Sequence, residues 1–311
     1  MQKEVFINFV SERLQDITGY EVRVHEVPKN NGLVLTGLTI VRENRNAYPT
    51  IYLDNYYEDY QAGRDMESIV REIKRTDEKY QVADDFDVTC FTDFNKVKAN
   101  LYYKIINLEV NRERLQNIPH KPILDFAKVY YVALNDERYG EGTVLINNEH
   151  LELWGVTADE VGKIARINTE TKIQPTIVEL KEIVKEKLAY VYEELKKDGE
   201  IPEYLQVPAL DNIGDCPMYV ASNQQNYYGA SVMMYTGFLK VISDIMKDDL
   251  IILPSSVHEI IFIKSEDAGY NFVGDLREMV ENVNKEVVDR EEFLSNNVYL
   301  YDRQMGKIKI V

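Results

Sequence analysis

The segment 254–259, Pro-Ser-Ser-Val-His-Glu, holds the side chains most able to do chemistry together. Ser255 or Ser256 could attack a carbonyl group while His258 accepts the hydroxyl proton and Glu259 supplies a carboxylate. In an extended chain Ser256 and His258 point to the same face, about 6.6 Å apart along the strand. Catalytic groups usually come from separate segments, because each then has its own rigid support. We therefore favour a structural interpretation, a turn capped by the serines, and keep a hydrolase as the alternative.

A second candidate lies in the segment 146–155, INNEHLELWG, after a predicted strand. Asn148, Glu149 and His150 precede Trp154, the sole tryptophan. An acid, an imidazole and an aromatic wall could hold a small ligand. In the structural interpretation, which we favour, the two asparagines make a turn and the tryptophan packs the next helix onto the sheet.

Tyrosine clusters form a third candidate, among 22 tyrosines in the chain. Tyr56, Tyr57 and Tyr60 stand among acidic residues, and Tyr227 and Tyr228 follow the polar stretch Asn-Gln-Gln-Asn. Such clusters suit protein recognition, because a rigid ring supplies contact area and its hydroxyl supplies a hydrogen bond. They equally suit half-buried helix faces, so both interpretations stay open.

Several catalytic and cofactor-binding motifs are missing from the sequence. It contains no G-x-G-x-x-G, no phosphate-binding P-loop and no G-x-S-x-G nucleophile elbow. The 4 histidines are not at metal-ligand spacing, and the 2 cysteines, Cys90 and Cys216, cannot form a C-x2-C pair. We therefore predict neither a metal nor a cofactor.

The charge of the chain limits its partners. Lys plus Arg number 36 and Asp plus Glu number 53, which gives a formal net charge of −17 at pH 7. Such a surface repels nucleic-acid phosphates and anionic membranes, so we expect no direct nucleic-acid binding and no membrane binding. A partner protein with a basic face fits this charge, and so does mimicry of a nucleic acid, although an acidic surface also favours solubility.

The sequence predicts a cytoplasmic protein. Its 2 cysteines are too few for a disulfide framework, which favours a reducing compartment. The N-terminal segment MQKEVFINFVSERL carries acids and lacks the apolar centre of a signal peptide. No apolar run approaches the roughly 18 residues of a membrane-spanning helix.

The hydrophobic patterns predict helices and mostly antiparallel strands. Apolar residues at helical spacing predict helices over 3–17, 65–79, 94–108, 175–197, 238–245 and 276–283. Alternating or apolar runs predict strands over 21–27, 33–41, 50–54, 123–134, 143–147, 218–222, 230–234, 250–253 and 259–263, and a final hairpin around Gly306. Asn31-Gly32 predicts a type I′ hairpin turn, and Thr157 with Glu160 predicts a helix-capping box.

These elements predict an α+β fold class with mostly antiparallel sheets, helices packed on them, and two domains. The segment 199–217 holds three prolines and two glycines and interrupts the pattern, so we place the boundary there. Residues 1–200 would form an N-terminal α+β domain with long amphipathic helices. Residues 201–311 would form a C-terminal α+β domain with an antiparallel sheet.

Four stretches carry a resemblance to a known family: NNEHLELWGVT at 147–157, YYGASVMMY at 227–235, DLIILPSSVHEIIFI at 249–263, and LSNNVYLYDRQMGKI at 294–308. The likeness runs nearly the whole length of the chain. With them the chain resembles the DUF5688 family of uncharacterised bacterial proteins. The resemblance implies a cytoplasmic protein of Firmicutes, often encoded near mobile elements. It implies no activity and no functional residue.

The leading hypothesis is a non-catalytic protein-binding or accessory factor, because catalytic motifs are missing and the chain is anionic. Its partner would be another protein with a basic face. One version is an acidic inhibitor that mimics a nucleic acid, linked to mobile elements. The alternatives are the hydrolase that uses Ser256 or Ser255 with His258, and a small-molecule sensor. The sensor requires a pocket near Trp154 or between the domains.

Overall fold

The computed structural model describes residues 2–43, 45, 48–80, 89–136, 140–187, 218–254, 256–268 and 272–311. Within these residues the chain has an α+β fold, and its strands form antiparallel sheets of three, four and six strands. The predicted fold class is therefore confirmed, and so is the mainly antiparallel pairing.

The described helices are α1 (Lys3–Thr18), α2 (Asp54–Gln61), α3 (Met66–Lys79), α4 (Thr89–Thr92), α5 (Phe94–Val97), α6 (Arg112–Leu115), α7 (Asn148–Trp154), α8 (Ala158–Lys172), α9 (Phe238–Met246), α10 (Ser265–Ala268) and α11 (Phe272–Glu286). The strands are β1 (Glu21–Pro28), β2 (Val34–Val41), β3 (Ile51–Tyr52), β4 (Leu101–Asn107), β5 (His120–Ile123), β6 (Phe126–Asp136), β7 (Gly140–Leu145), β8 (Pro175–Glu179), β9 (Tyr219–Asn223), β10 (Leu250–Leu253), β11 (Ile260–Lys264), β12 (Tyr299–Asp302) and β13 (Lys307–Ile310). Short 3-10 turns cover Asn30–Gly32, Lys98–Asn100 and Gly229–Met234, and residues 180–187 are helical.

The N-terminal sheet, β1-β2-β3, packs with α1 and α3 around one hydrophobic cluster. Helix α1 buries Phe6, Val10 and Leu14, which recur every four residues along the helix. They meet Leu38 and Ile40 of β2 in the same cluster. Both helices occur where the helical period of the apolar residues predicted them, because a single apolar stripe must face the sheet.

The turn between β1 and β2 is longer and more deeply buried than the predicted type I′ turn. Residues 29–33 connect the strands, and Asn31 adopts a left-handed backbone with φ 57°. Its side-chain amide donates hydrogen bonds to the carbonyl oxygens of Arg290 at 2.8 Å and Phe293 at 2.6 Å. Its backbone N–H donates to Asn111 Oδ1 at 2.8 Å. The hairpin therefore docks onto distant parts of the chain instead of pointing into water.

The predicted helix over 94–108 is wrong. Only α5 and a 3-10 turn are helical, and β4 then pairs along its whole length with β6, from Leu101 opposite Val132 to Asn107 opposite Phe126. The apolar residues of this segment fit both a helical and a strand period. Its aromatic and β-branched side chains favour the strand, and the long β6 supplies the partner.

The predicted long helix from Pro175 is also corrected. Residues 175–179 form β8 at the edge of the six-stranded sheet, and helical structure begins only at residue 180. An edge strand tolerates proline, because one side of its backbone needs no ladder hydrogen bonds. Residues 180–187 are helical as predicted, and residues 188–197 of the predicted helix lie outside the described part of the chain.

The predicted strand over 230–234 is instead a 3-10 turn, Gly229–Met234. Ala230, Val232 and Met233 are buried in the largest hydrophobic cluster. An apolar run of this length does not distinguish a strand from a buried turn, and here no neighbouring strand pairs with it. The predicted strands 218–222, 250–253 and 259–263 occur as β9, β10 and β11.

The four-stranded sheet (β4, β5, β6, β7) and the six-stranded sheet (order β13-β12-β10-β11-β9-β8) share one core. Strand β8 pairs with β9, from Pro175 opposite Asn223 to Glu179 opposite Tyr219. The predicted domain boundary lies in residues outside the described part, so its position stays a prediction. Strand β8, before this boundary, and strand β9, after it, belong to the same sheet.

A buried polar cluster joins the β5–β6 turn to β12. The Tyr299 hydroxyl donates to the Asp125 carboxylate at 2.6 Å, Ser295 Oγ donates to it at 2.6 Å, and the Asn297 amide donates at 2.9 Å. Burial and the hydrogen bond to Asp125 raise the pKa of Tyr299, so this phenol stays protonated and donates.

Candidate functional site

Ser256 occupies the turn between β10 and β11, where the sequence predicted a capped turn. Its hydroxyl oxygen accepts a hydrogen bond from the backbone N–H of His258 at 3.0 Å. This is a local side-chain-to-backbone bond that shapes the turn. Ser255 lies outside the described residues, and Glu259 begins the approach to β11.

The imidazole of His258 contacts Tyr227 and Tyr228, in the loop that follows β9. Its Nδ1 accepts the backbone N–H of Tyr228 at 3.2 Å, and its Nε2 lies 3.4 Å from Glu292 Oε1. A neutral imidazole that accepts at Nδ1 carries its proton at Nε2. The structure therefore does not bring Ser256 and this imidazole together as nucleophile and base, which removes the geometric support for the hydrolase alternative.

The structure does bring His258 together with Tyr227 and Tyr228, from a separate segment. The Tyr228 ring lies parallel to the imidazole with centroids 5.9 Å apart, and the Tyr227 hydroxyl donates to the Tyr228 hydroxyl at 2.9 Å. Asn226 and Tyr228 both adopt left-handed backbones, with φ 50° and 55°. Each such non-glycine residue costs on the order of 1 kcal/mol, and strain of this kind concentrates at functional sites.

Lys104, in the middle of β4, lies against the opposite side of this loop. Its Nζ is 3.7 Å from the centroid of the Tyr228 ring, a cation–π contact. Burial is the main reason why the pKa of Lys104 is lowered to about 7; Arg114 and Lys29 contribute in the same direction, and Glu291 opposes them. Among the described residues, no carboxylate forms an ion pair with this ammonium group.

Arg114, in α6, is the second half-buried cation of this region. Burial lowers the pKa of its guanidinium group, against the opposing effect of Glu291. Within the described part of the chain its side chain also has no ion-pair partner. Two cations of one region therefore have no ion-pair partner among the described residues, although the chain has 53 acidic and 36 basic residues.

A pocket of about 580 Å³, the tyrosine pocket, opens beside Tyr227. Its aromatic walls are Tyr102, Tyr131 and Tyr227. Its polar groups are the Thr143 hydroxyl and the side-chain amides of Gln225 and Asn226. Its other described lining residues are apolar or glycine: Ala133, Leu134, Gly142 and Ile173. None of the described lining residues carries a charge. Its walls come from both sides of the predicted domain boundary.

A second cavity of about 770 Å³, the basic groove, lies next to the tyrosine pocket. It is lined by Lys29, Arg112 and Arg114, by Glu109 and Glu113, and by uncharged residues that include Leu145. Arg112 is tied to Glu109 at 2.5 Å. Leu145 pairs across the sheet with Tyr131 of the tyrosine pocket, so the two cavities are neighbours on one face of the four-stranded sheet.

Four predicted binding residues belong to one helix, α7: Asn148, Glu149, His150 and Trp154. This segment is helical where the sequence predicted a turn, because Asn147 caps it. Asn147 Oδ1 accepts the His150 N–H and His150 Nδ1 accepts the Asn147 N–H, both at 3.0 Å. Trp154 Nε1 donates to the Phe91 carbonyl at 2.7 Å. Burial lowers the pKa of His150. These contacts account for the segment as a cap and a packing anchor.

The tyrosine cluster of α2 packs inward. Tyr57 and Tyr60 contact the Phe6 ring, with centroids 5.3 and 5.6 Å apart, and the Tyr56 hydroxyl lies 3.5 Å from the Thr76 hydroxyl. Of the two interpretations of this cluster, the geometry fits the half-buried helix face. The structure does not bring it to the tyrosine pocket.

The sequence interpretation missed Lys104 and Arg114. The mistaken helix over 94–108 put Lys104 on a helix surface, where a lysine needs no explanation. The available signal was Leu-Tyr-Tyr-Lys-Ile-Ile, whose strand period places Tyr102 and Lys104 on one face. Among the described residues there is no group of three or more His, Cys, Asp or Glu side chains that could hold a metal ion. The Cys216 segment lies outside them.

The fold and this region define an α+β protein with a tyrosine-walled pocket and an adjoining basic groove on one sheet face. The chain belongs to DUF5688, a family of unknown function, whose model matches residues 3–303. The resemblance seen in the sequence is therefore confirmed. No curated protein matches the chain, and no solved structure matches it. None of the helices in the described residues has both the length and the apolar character for a membrane span.

Proposed function

We propose that this protein is a non-catalytic binding protein that holds a small molecule in the tyrosine pocket. The observation that carries the proposal is the pocket itself, about 580 Å³ in volume with walls from Tyr102, Tyr131 and Tyr227. Small-molecule sites commonly measure about 300–1,000 Å³ and combine aromatic walls with a few polar groups. Among the hypotheses from the sequence, this geometry supports the small-molecule sensor, which needed a pocket between the predicted domains.

The lining supports a particular kind of ligand. Phenol rings favour a flat ring, because offset or edge contacts between rings contribute about 0.5–1.5 kcal/mol beyond burial. The amides of Gln225 and Asn226 and the hydroxyl of Thr143 can donate and accept hydrogen bonds. Since none of the described lining residues is charged, the ligand portion in this pocket is a neutral polar ring, such as a nucleobase-like or phenolic group.

The strained loop supports the same site. Asn226 and Tyr228 hold left-handed backbones, and the hydrogen bond from the Tyr228 N–H to His258 Nδ1 fixes the loop at the pocket edge. A loop fixed in advance reduces the entropy that ligand binding must offset. His258 then acts as a positioning residue for the tyrosines.

A thermal-shift screen with neutral ring compounds tests the proposal. Tyr227→Ala removes an exposed wall, and Tyr20→Ala is the control, because the two tyrosines are similarly exposed, at 43% and 42%. We expect compounds that raise the Tm of the wild type and of Tyr20→Ala, with affinity for Tyr227→Ala about tenfold weaker. No binding compound, or equal affinity for all three proteins, would contradict the proposal.

A protein partner is the second candidate function. One observation favours it: α9 exposes Val241 and Ile245 at 56% and 73%, one helical turn apart, while Leu239 and Ile242 pack into the core. With the net charge of −17, a basic partner fits, and the nucleic-acid-mimicking inhibitor and the link to mobile elements belong to this candidate. A cytoplasmic location without membrane or direct nucleic-acid contact is part of both candidates.

Affinity capture from cells that naturally express the protein tests the second candidate. A partner that binds the wild type at fixed stoichiometry, and that Ile245→Asp loses, supports it, because a charge placed in an apolar contact is costly. A partner retained equally by Ile245→Asp would exclude the α9 surface.

A further inference from the structure

We propose that Lys104 and Arg114 form an anion-binding site beside the basic groove, which Arg114 lines, for the phosphate, sulfate or carboxylate group of a small molecule. This site is separate from the tyrosine pocket, so the inference goes beyond the proposed function. It rests on two cations that have no ion-pair partner among the described residues, on the groove that Arg114 and Lys29 line, and on the contact between Lys104 and Tyr228.

The first support is the contrast between paired and unpaired cations. Arg42, which is similarly removed from water, forms a hydrogen-bonded ion pair with the buried Asp77. Lys104 and Arg114 have no such carboxylate within the described residues, although acids outnumber bases in the chain. Glu291 acts on both cations only from beyond ion-pair distance. Partly buried charges are unfavourable unless they are paired, and a bound anion would supply the missing partner.

The second support is that three separate elements bring positive charge to one place. Lys104 comes from β4, Arg114 from α6, and Lys29 from the β1–β2 hairpin. Lys29 and Arg114 line the groove, and both act on the charge of Lys104. Arg112 at the same groove is already neutralised by Glu109. An arginine fork beside a lysine is a common combination for oxyanions, because the fork gives two directed hydrogen bonds and the ammonium group a compact charge.

The third support is the placement of the lysine. The Tyr228 ring lies 3.7 Å from Lys104 Nζ and rests edge-on against Tyr131. Tyr228 is fixed from its other side by His258. The cation–π contact holds the ammonium group at the sheet surface without using its hydrogen-bond donors. Since no described residue accepts a hydrogen bond from this ammonium group, its donors can bind an anion.

The titration of Lys104 gives the site a pH signature. The charged groups that face it are Arg114, Lys29 and Glu291, and burial has the largest effect on its pKa, which is about 7. An anion binds the protonated form, so affinity falls as pH rises through this pKa. For a group that is half protonated at pH 7, the drop between pH 6 and pH 8 is about tenfold.

Calorimetric titration with sulfate tests the inference, because sulfate keeps the same charge over this pH range. Chloride keeps the ionic strength constant. We expect saturable binding by the wild type that weakens about tenfold from pH 6 to pH 8. Arg114→Gln should weaken binding at least tenfold at pH 6, and Arg114→Lys less. Lys104→Met should weaken binding and abolish the pH dependence.

The matched control is Lys163→Gln, which removes one positive charge from an exposed position on α8, at the opposite face of the sheet. It should change the sulfate affinity less than twofold. Circular dichroism and the unfolding midpoint confirm that each variant is folded. The inference is overturned if the wild type shows no saturable sulfate binding, or if Arg114→Gln, Arg114→Lys and Lys104→Met all bind like the control. The titration contains no ring compound, so its failure is distinct from failure of the ring screen.

Discussion

The ammonium nitrogen of Lys104 lies 3.7 Å from the centroid of the Tyr228 ring, although Lys104 belongs to β4 of the four-stranded sheet and Tyr228 follows β9 of the six-stranded sheet. The Tyr228 ring also stacks on His258 and contacts Tyr131. Tyr228 therefore links β4, β6 and the β10–β11 turn. The protein thus places a costly, half-buried positive charge against Tyr228, the neighbour of the pocket residue Tyr227. This placement has consequences for stability that can be measured without any ligand.

Lys104→Met should stabilise the protein near neutral pH. The pKa of Lys104 is about 7 in the folded chain and about 10.4 in an unfolded one. Between these values the unfolded chain binds more protons, so wild-type stability rises with pH from 7 to 10. Methionine removes the burial penalty, so the variant should exceed the wild type by roughly 1–3 kcal/mol at pH 7, and by less at pH 9.5.

Urea unfolding at both pH values measures this difference, with Lys163→Met as the control that should show no pH-dependent gain. A variant that is less stable than the wild type at pH 7 would mean that the cation–π contact outweighs burial. A constant difference at the two pH values would show that Lys104 does not titrate in this range.

Asn31→Asp should strongly destabilise the protein. The Asn31 amide donates to the carbonyl oxygens of Arg290 and Phe293, and a carboxylate in its place would face those oxygens with no proton to donate. We expect a loss of roughly 2–4 kcal/mol in the free energy of unfolding, measured by urea unfolding. Asn30→Asp is a neighbouring comparison that loses one such donor bond, to Glu291 O. Equal losses for the two would refute the special role of Asn31.

Tyr299→Phe should cost roughly 1.5–3 kcal/mol, because the Asp125 carboxylate loses a buried hydrogen bond at 2.6 Å. Tyr301→Phe, two positions along the same strand, is the control, since the Tyr301 hydroxyl has no hydrogen bond to any described residue. We expect its free energy of unfolding to change by less than about 0.5 kcal/mol, because no hydrogen-bond partner among the described residues is lost. Denaturant midpoints compare the two variants. A similar loss of stability in both variants would show that the hydrogen bond to Asp125 is not its cause.

Wild type and His258→Ala should show the same background rates in a broad ester and peptide hydrolysis screen. The reason is geometric: the Ser256 hydroxyl is bonded to a backbone N–H, and the imidazole accepts the Tyr228 N–H. His25→Ala, at an exposed position of β1, controls for the loss of a histidine. A measurable wild-type rate that only His258→Ala abolishes would restore the hydrolase interpretation.

Local patterns in the sequence predicted much of the framework. Helices α1 and α3 follow a single apolar stripe, and the capping box of α8 forms as expected, with the Thr157 hydroxyl accepting the Glu160 N–H at 3.3 Å. The β10–β11 and β12–β13 pairs also occur where apolar runs flank turn residues. Each of these signals is complete within about fifteen residues, so sequence alone could contain it.

The errors arose where the deciding partner is remote in sequence. Strand β4 exists because β6 pairs with it, and β8 exists because β9 pairs with it, with paired residues 40 to 48 positions apart in the second case. The candidate site shows the same limit. Tyr227, Tyr228 and His258 stood out as residue types, but their meeting with Lys104 depends on that strand and could not be predicted from spacing.

The pairing of β8 with β9 joins a strand that precedes the predicted linker to a strand that follows it. A fragment that stopped at residue 200 would present β8 as an unpaired edge, and the complementary fragment would expose the matching side of β9. Open edges of this kind recruit other strands, so each half expressed alone should self-associate. Co-expressed halves, in contrast, should find each other and rebuild the sheet, which makes this chain a natural candidate for fragment complementation.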